Sequence, residues 1–383
     1  MRKRSLAAMG AAAAVVLAAG GFGLWLATLP SDVATAAPPV PPSEAAATLA
    51  ALRPPHGVRP VVAIIGLNDA TETTDYLMTA GILRRADVAD VVLVATEPGP
   101  VQLYPALKVE PDATIAQFDA GHPHGADYVI VPAMSRDDDP AVLAWLRRQS
   151  AKGAIVIGVC AGAKVVAAAG LLDGKRATTH WYYLKELLAR TPTVVYVADR
   201  RIVSDGDVTT TTGVSASMPM MLTLVEAIAG RERAEAVARD LGLEGWDARH
   251  ASDAFRLTRP FVTTVLANRL AFWNREELGI PLVAAMDEVS LALVADAWSR
   301  TYRSHAASLG RTASAVTTAN GVRVLPDRVV QDWPEEGVVS TFPDQPPAAA
   351  LDLGLGAIAA RYGARTADVV AMQLEYPRPA SAR

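Results

Sequence analysis

The chain reads as an α/β protein: a doubly wound parallel sheet with a cysteine nucleophile elbow, followed by a truncated α/β repeat. Three observations predict this. Short apolar runs alternate with helix-like segments through the middle of the chain. Gly158-Val159-Cys160-Ala161-Gly162 joins one such run directly to a helix. Segments after residue 280 resemble earlier ones at a constant spacing, the mark of an internal repeat.

The amino terminus comes first. Arg2-Lys3-Arg4 precede an uncharged run of 24 residues, Leu6 to Leu29, which is long enough to span a bilayer. The basic end stays cytoplasmic, so residues 1–30 predict a single-pass anchor in the cell membrane with the rest extracytoplasmic. Ala34-Thr35-Ala36 is a small-x-small sequence, so cleavage as a signal peptide and secretion is the alternative. Residues 31–58, with Ala37-Pro38-Pro39-Val40-Pro41-Pro42 and Arg53-Pro54-Pro55, predict a semi-rigid Pro/Ala-rich linker.

Residues 59–243 carry the alternating pattern. Strands are predicted at 61–66, 90–95, 127–132, 154–159 and 194–198, and Val203 to Thr212 as a Thr-rich hairpin or last strand. Helices are predicted at 73–86, 138–152, 161–170, 181–190 and 216–241. Residues 244–279 read as a helical connector whose Phe255, Leu257, Phe261, Val265 and Leu266 form an apolar face.

The elbow is the chemical centre of this pattern. Ala154 to Val159 is an apolar run of the kind buried in parallel sheets, and Ala161 to Ala169 is rich in small helix formers and stops at Gly170. A tight turn between them needs small neighbours and puts the Cys160 side chain at the carboxyl end of the sheet, where open α/β sheets place their sites. The helix start behind it favours thiolate over thiol. A buried structural cysteine is the competing reading. Twenty residues on, Ala177-Thr178-Thr179-His180-Trp181 ends a short strand at His180, which can meet Cys160 as base or ion-pair partner. His122-Pro123-His124 has metal-ligand residue types, but no third ligand is visible, so no metal is predicted.

Composition bounds the rest. At 383 residues, 51% hydrophobic and 20% charged, the chain can bury a large core. A net charge of −4 and no basic run beyond the first four residues give no support to nucleic-acid binding. A single cysteine excludes an internal disulfide.

Cys160-Ala161-Gly162, the following Ala-Gly-Leu-Leu-Asp-Gly and Ala177-Thr178-Thr179-His180-Trp181 strongly resemble the PfpI family of the class I glutamine amidotransferase-like superfamily, over about residues 60 to 243. That superfamily includes peptidase-like proteins, glyoxalases and deglycases, isonitrile hydratases and the amino-terminal domains of AraC-type regulators. The resemblance implies a flavodoxin-like sheet and Cys160 as nucleophile, with His180 nearby and no cofactor. It also implies an acid from the loop after the first strand, for which Asp75 fits best and Glu72 and Asp69 less well. Backbone amides of Ala161 and Ala133 would face the oxyanion. The match departs from the family in two places. Val131-Pro132-Ala133-Met134 stands where Pro-Gly-Gly is common, with Met134 intruding where glycine leaves room. Ala161 stands where the hydratases carry threonine, which argues against the hydratase reaction. An extracytoplasmic location and the lack of a helix-turn-helix remove the AraC-type role.

The repeat occupies residues 280–377. Residues 75–85 align with 290–300, and Pro111-Asp112 with Pro326-Asp327, at an offset of 215; Leu222 to Leu241 align with Leu355 to Leu374 at an offset of 133. The second copy thus lacks the part holding the elbow and His180, and Ser290 replaces Asp75. A truncated sheet must cover its apolar faces, so this half copy is expected to pack on the first domain. Two functions remain open. One is a cysteine-dependent hydrolase or lyase acting on a small electrophile: a reactive carbonyl, an amide or a peptide. The other is a noncatalytic binding or redox-sensing module. The first is favoured.

Overall fold

The computed structural model describes residues 17–31, 36–55 and 59–378. The central sheet has seven strands: β1 (Val61–Gly66), β3 (Asp90–Ala95), β6 (Ala113–Thr114), β7 (Tyr128–Val131), β8 (Ile155–Gly158), β11 (Ile202–Asp205) and β12 (Val208–Thr211). Their spatial order is β11-β12-β8-β7-β1-β3-β6. All neighbours are parallel except the hairpin β11–β12. The central strands β1, β7 and β8 are Val/Ile-rich and buried, as a parallel sheet covered on both faces requires. Helices Thr73–Ala86, Ser217–Ala229 and Arg231–Leu241 cover one face, and Ile115–Gly121, Pro140–Ala151, Gly162–Ala168 and Leu184–Arg190 the other. The chain reverses its winding between β1 and β7, so the carboxyl ends of β1, β7 and β8 frame the switch-point crevice where α/β proteins place their sites.

Beyond residue 275 lies a second, smaller unit. Strands β13 (Glu276–Pro281), β14 (Ser304–Gly310) and β17 (Arg328–Val329) form a parallel sheet, flanked by helices Glu288–Ser299, Ala350–Tyr362 and Ala364–Gln373. Its layout matches the first unit closely. Adding 215 to β1, to the start of helix Thr73–Ala86 and to β6 gives β13, the start of helix Glu288–Ser299 and β17. Adding 133 to helices Ser217–Ala229 and Arg231–Leu241 gives 350–362 and 364–374. Individual hydrogen bonds recur too: Asp112 N donates to Leu93 O at 2.8 Å, and Asp327 N to Ser308 O at 2.9 Å.

The small strands β2 (Thr71–Glu72), β4 (Val101–Tyr104), β5 (Lys108–Glu110), β15 (Val316–Thr317) and β16 (Arg323–Leu325) build a five-stranded sheet of order β15-β16-β5-β4-β2 that joins the units. Its centre is the antiparallel pair β5–β16, with Lys108 opposite Leu325, Val109 opposite Val324 and Glu110 opposite Arg323.

Several expectations are corrected. The single-pass anchor is not supported: among the described residues no helix is long and apolar enough to cross a membrane. Residues 17–28 are helical, and the first part of that run, residues 1–16, lies outside the described residues, as does the Ala34-Thr35 portion of the cleavage sequence. Within the expected linker, Pro42–Ala51 is a helix; Leu52 is fully buried and accepts the Tyr128 hydroxyl at 2.7 Å, and Glu44 pairs with Arg200 at 2.8 Å. The expected strand 194–198 is only Val195–Tyr196 (β10), which pairs with Arg176–Ala177 (β9) outside the main sheet. The helix expected over 216–241 breaks at Gly230, whose φ of 85° ends one helix and starts another. The second unit's first strand begins at Glu276, inside the expected connector, where Glu276 to Pro281 pair with Ser304 to Leu309 of β14. The connector's apolar face is partial: Phe255 is buried, whereas Leu257 and Leu266 are exposed.

Candidate functional site

Cys160 sits where β8 turns into helix Gly162–Ala168 and adopts φ +56°, the left-handed conformation that side chains other than glycine disfavour. The strain is held from three sides. Cys160 N donates to Thr211 Oγ1 at 3.1 Å, Thr179 Oγ1 donates to Cys160 O at 3.0 Å, and Gly162 N closes the turn on Val159 O at 2.7 Å. Gly162 is required by proximity, since a Cβ there would lie 1.9 Å from Val131 O. The Ala161 amide donates to the sulfur.

The thiol is 5% exposed. Burial pushes its pKa well up, and the neighbouring Asp75 and Glu72 push it further the same way. The depressed pKa expected from the helix start is therefore outweighed by desolvation and two buried acids. Those acids are raised as well. Burial lifts Asp75 to about 7, and burial together with Asp75 lifts Glu72 to about 7.

Asp75 lies in the first turn of helix Thr73–Ala86. Its Oδ2 accepts the Ala133 amide at 3.1 Å, while its Oδ1 is buried without a hydrogen-bond partner. Glu72 caps the same helix: its Oε2 accepts from Asp75 N at 2.6 Å and from Thr74 Oγ1 at 2.8 Å. The other oxygen, Oε1, pairs at 2.7 Å with Arg300, a residue of the second unit. Arg300 also binds Asp296 at 2.5 Å, and Asp296 Oδ2 accepts from Thr74 Oγ1 at 3.3 Å. Sequence reasoning missed Arg300 and Asp296, although the offset of 215 places Arg300 opposite Arg85 in the repeat.

Two expected roles need correction. The Ala133 amide, expected to face an oxyanion, is bound to Asp75 and instead fixes that carboxyl's orientation. His180, expected to serve Cys160 as base, is engaged elsewhere. Its Nε2 lies 2.9 Å from Gln373 O, which as a carbonyl can only accept, so this nitrogen carries the proton. Its Nδ1 accepts from Tyr182 N at 3.2 Å. Both ring nitrogens are thus occupied, and burial lowers the ring's pKa. His180 is a neutral bracket between the elbow wall and the second unit's last helix. Asp69 is turned away to Arg136. Met134 packs into the core on the far face of the sheet, and His122 stacks on Phe118, its ring nitrogen 3.2 Å from the Phe118 carbonyl.

Fold and site together define a cysteine-elbow α/β protein whose thiol faces a buried acid. Residues 61–227 match the DJ-1/PfpI family. The chain is 42% identical over 106 residues to the isonitrile hydratase of Pseudomonas putida, a stretch covering 27% of this chain and 44% of that protein, less than half of its length. It is 26% identical over 184 residues to protein dj-1beta of Drosophila melanogaster, covering 47% of this chain and 95% of that one. Among crystal structures, a mutant of a DJ-1 superfamily protein from Salmonella typhimurium aligns with TM-score 0.43 and 25% identity, covering 49% of this chain and all of that one.

Proposed function

We propose that the protein is a cysteine-dependent enzyme of the DJ-1/PfpI type, a hydrolase or lyase acting on a small electrophile such as a reactive carbonyl, an amide or a peptide bond. One observation carries this reading: the strained Cys160 lies near Asp75, whose Oδ1 is buried with no hydrogen-bond partner. A carboxyl with a pKa of about 7 both accepts and returns a proton near neutrality. As Cys160 Sγ forms its bond to the electrophilic carbon, the thiol proton passes to Asp75 Oδ1. The C=O π pair moves onto oxygen, which takes the proton back, giving a hemithioacetal from an aldehyde. With an amide, the nitrogen takes that proton as the amine leaves, and water then releases the thioester. The likeness to an isonitrile hydratase supports thiol chemistry, while Ala161 in place of threonine favours a different substrate.

A second reading is favoured by burial. A 5%-exposed thiol with a raised pKa suits a redox-sensing or binding module that reacts slowly. The deciding experiment is the pH dependence of Cys160 alkylation by iodoacetamide in the folded protein, paired with turnover assays on aldehydes, amides and peptides. Labelling in the native state together with Cys160-dependent turnover upholds the enzyme. Labelling only on denaturation, with no turnover, overturns it in favour of the module.

A further inference from the structure

The two units meet as the halves of a twofold dimer meet, but within one chain. In an isologous interface, residue i of one half contacts j of the other, and j of the first contacts i of the second. That reciprocity is present here. Glu72 and Arg85 of the first unit correspond, 215 residues on, to Asp287 and Arg300. Arg300 binds Glu72 at 2.7 Å, and Arg85 binds Asp287. The β5–β16 pairing is centred on Val109 and Val324, which are themselves 215 residues apart, so its register is also self-complementary. Helix Thr73–Ala86 packs against its counterpart Glu288–Ser299, with the Glu288 carboxylate seated over Gly81, where a Cβ would lie 2.6 Å from Oε1.

The two ends of this interface differ in chemistry. Around Asp287 the second unit has Ser290 in place of Asp75 and no cysteine. Around Glu72 lie Asp75 and Cys160, and Arg300 is the cation bound there. We propose that the second unit is a built-in partner, and that its Arg300 is a positioning residue that sets the ionisation of Cys160 and its acid from across the pseudo-twofold axis. This rests on Cys160 and Asp75 forming the reactive pair. The groups interacting with the thiol are Asp75 and Glu72 from the first helix, Ala161 N–H from the elbow, Tyr183 from the segment after β9, and Arg300 and Glu375 from the second unit; Asp296 acts on them through Arg300. Arg300 is the only cation in that set, its side chain 15% exposed, and three buried carboxyls compete for it. Its guanidinium bridges Asp296 through Nε and Glu72 through Nη2, and leaves Asp75 without an ion-pair partner of its own.

The test uses the full chain and compares Arg300→Gln with Arg85→Gln, which removes the mirror-image ion pair without touching the thiol's surroundings. Arg300→Gln should raise the apparent pKa of Cys160 labelling by about one unit, a tenfold slower reaction on the rising limb. Arg85→Gln should leave the profile in place although it weakens the same interface. Arg300→Lys, which keeps the charge and loses the fork, should fall between, and it answers the question if the glutamine variant does not fold. Equal profiles for the two glutamine variants, or an unshifted Arg300→Lys, overturn the proposal. If wild-type Cys160 does not label in the folded state, the enzymatic reading fails separately. Carboxyl-carbon NMR then decides: Asp75 and Glu72 should titrate at higher pH in the Arg300 variants than in wild type and Arg85→Gln, and coincident titrations overturn the inference.

Discussion

The Ala133 amide lies 3.1 Å from Oδ2 of Asp75 and leaves the other carboxyl oxygen buried with no hydrogen-bond partner. Because Asp75 titrates near 7, it is a proton donor to sulfur below that pH and a repelling charge above it. Iodoacetamide labelling of Cys160 should therefore show an inflection near pH 7 superimposed on the thiol's own ionisation. Asp75→Asn should remove that inflection; an identical profile in the variant would refute the coupling.

Three buried carboxyls, Asp75, Glu72 and Asp296, are all held above their ordinary range, chiefly by burial, around the single cation Arg300. A raised carboxyl binds its proton more tightly folded than unfolded. Its stabilisation is complete below the unfolded value of about 4 and is lost as pH climbs to about 7. Urea midpoints should thus fall between pH 5 and pH 8, by an amount on the order of 1–3 kcal/mol in unfolding free energy. Asp75→Asn should flatten the slope. A midpoint that rises over that interval would show the carboxylates to be better paired than the geometry indicates.

Gly162 tolerates no side chain without movement of β7, given the 1.9 Å approach to Val131 O. Gly162→Ala should destabilise by about 3 kcal/mol or more, because the obstacle is backbone and not a flexible side chain. Thermal unfolding of the purified variant measures this, and a loss under about 1 kcal/mol would mean that the elbow relaxes easily.

Glu375 follows the last helix at φ +53°, with its carboxylate bound to His250 Nε2 at 3.1 Å and to Gly213 N. Its counterpart in the first unit, 133 residues earlier, is Gly242 at φ +84°. Glu375→Ala should cost about 2–4 kcal/mol through two buried donors left unpaired. Glu375→Gly loses the same bonds but relieves the backbone, and should be about 1 kcal/mol more stable than the alanine variant. Chemical denaturation separates them; alanine being the more stable would contradict the strain argument.

Much of the central sheet was legible because its strands are uninterrupted Val/Ile runs: the observed Val61–Gly66 and Asp90–Ala95 coincide with the expected spans. The elbow was legible because only small residues fit around Cys160. Three features were not. The thiol's raised pKa depends on burial beside Glu72 and Asp75, which local helix-start reasoning does not weigh. The Ala133 amide could be read as free or bound only once Asp75 was placed in space. The bond from Gln373 to His180 spans 193 residues, beyond any local pattern. The two-residue strands β2, β6 and β15 were missed since pairing, not periodicity, defines them. The anchor expectation rested on the length and hydropathy of Leu6 to Leu29 and on the basic residues before it, which do not fix how long a helix forms. Just past the helical residues 17–28, Pro30 O accepts from Arg259 N at 2.9 Å.

The reciprocal pairing of Arg300 with Glu72 and Arg85 with Asp287 also frees the site from dilution. In an assembly of separate chains, the groups supplied by a neighbour are lost when the protein concentration falls below the dissociation constant. Here both halves share one polypeptide, so the encounter takes place at a local concentration of about millimolar or higher whatever the bulk value. The cation beside the thiol is present in the first copy of the protein a cell makes.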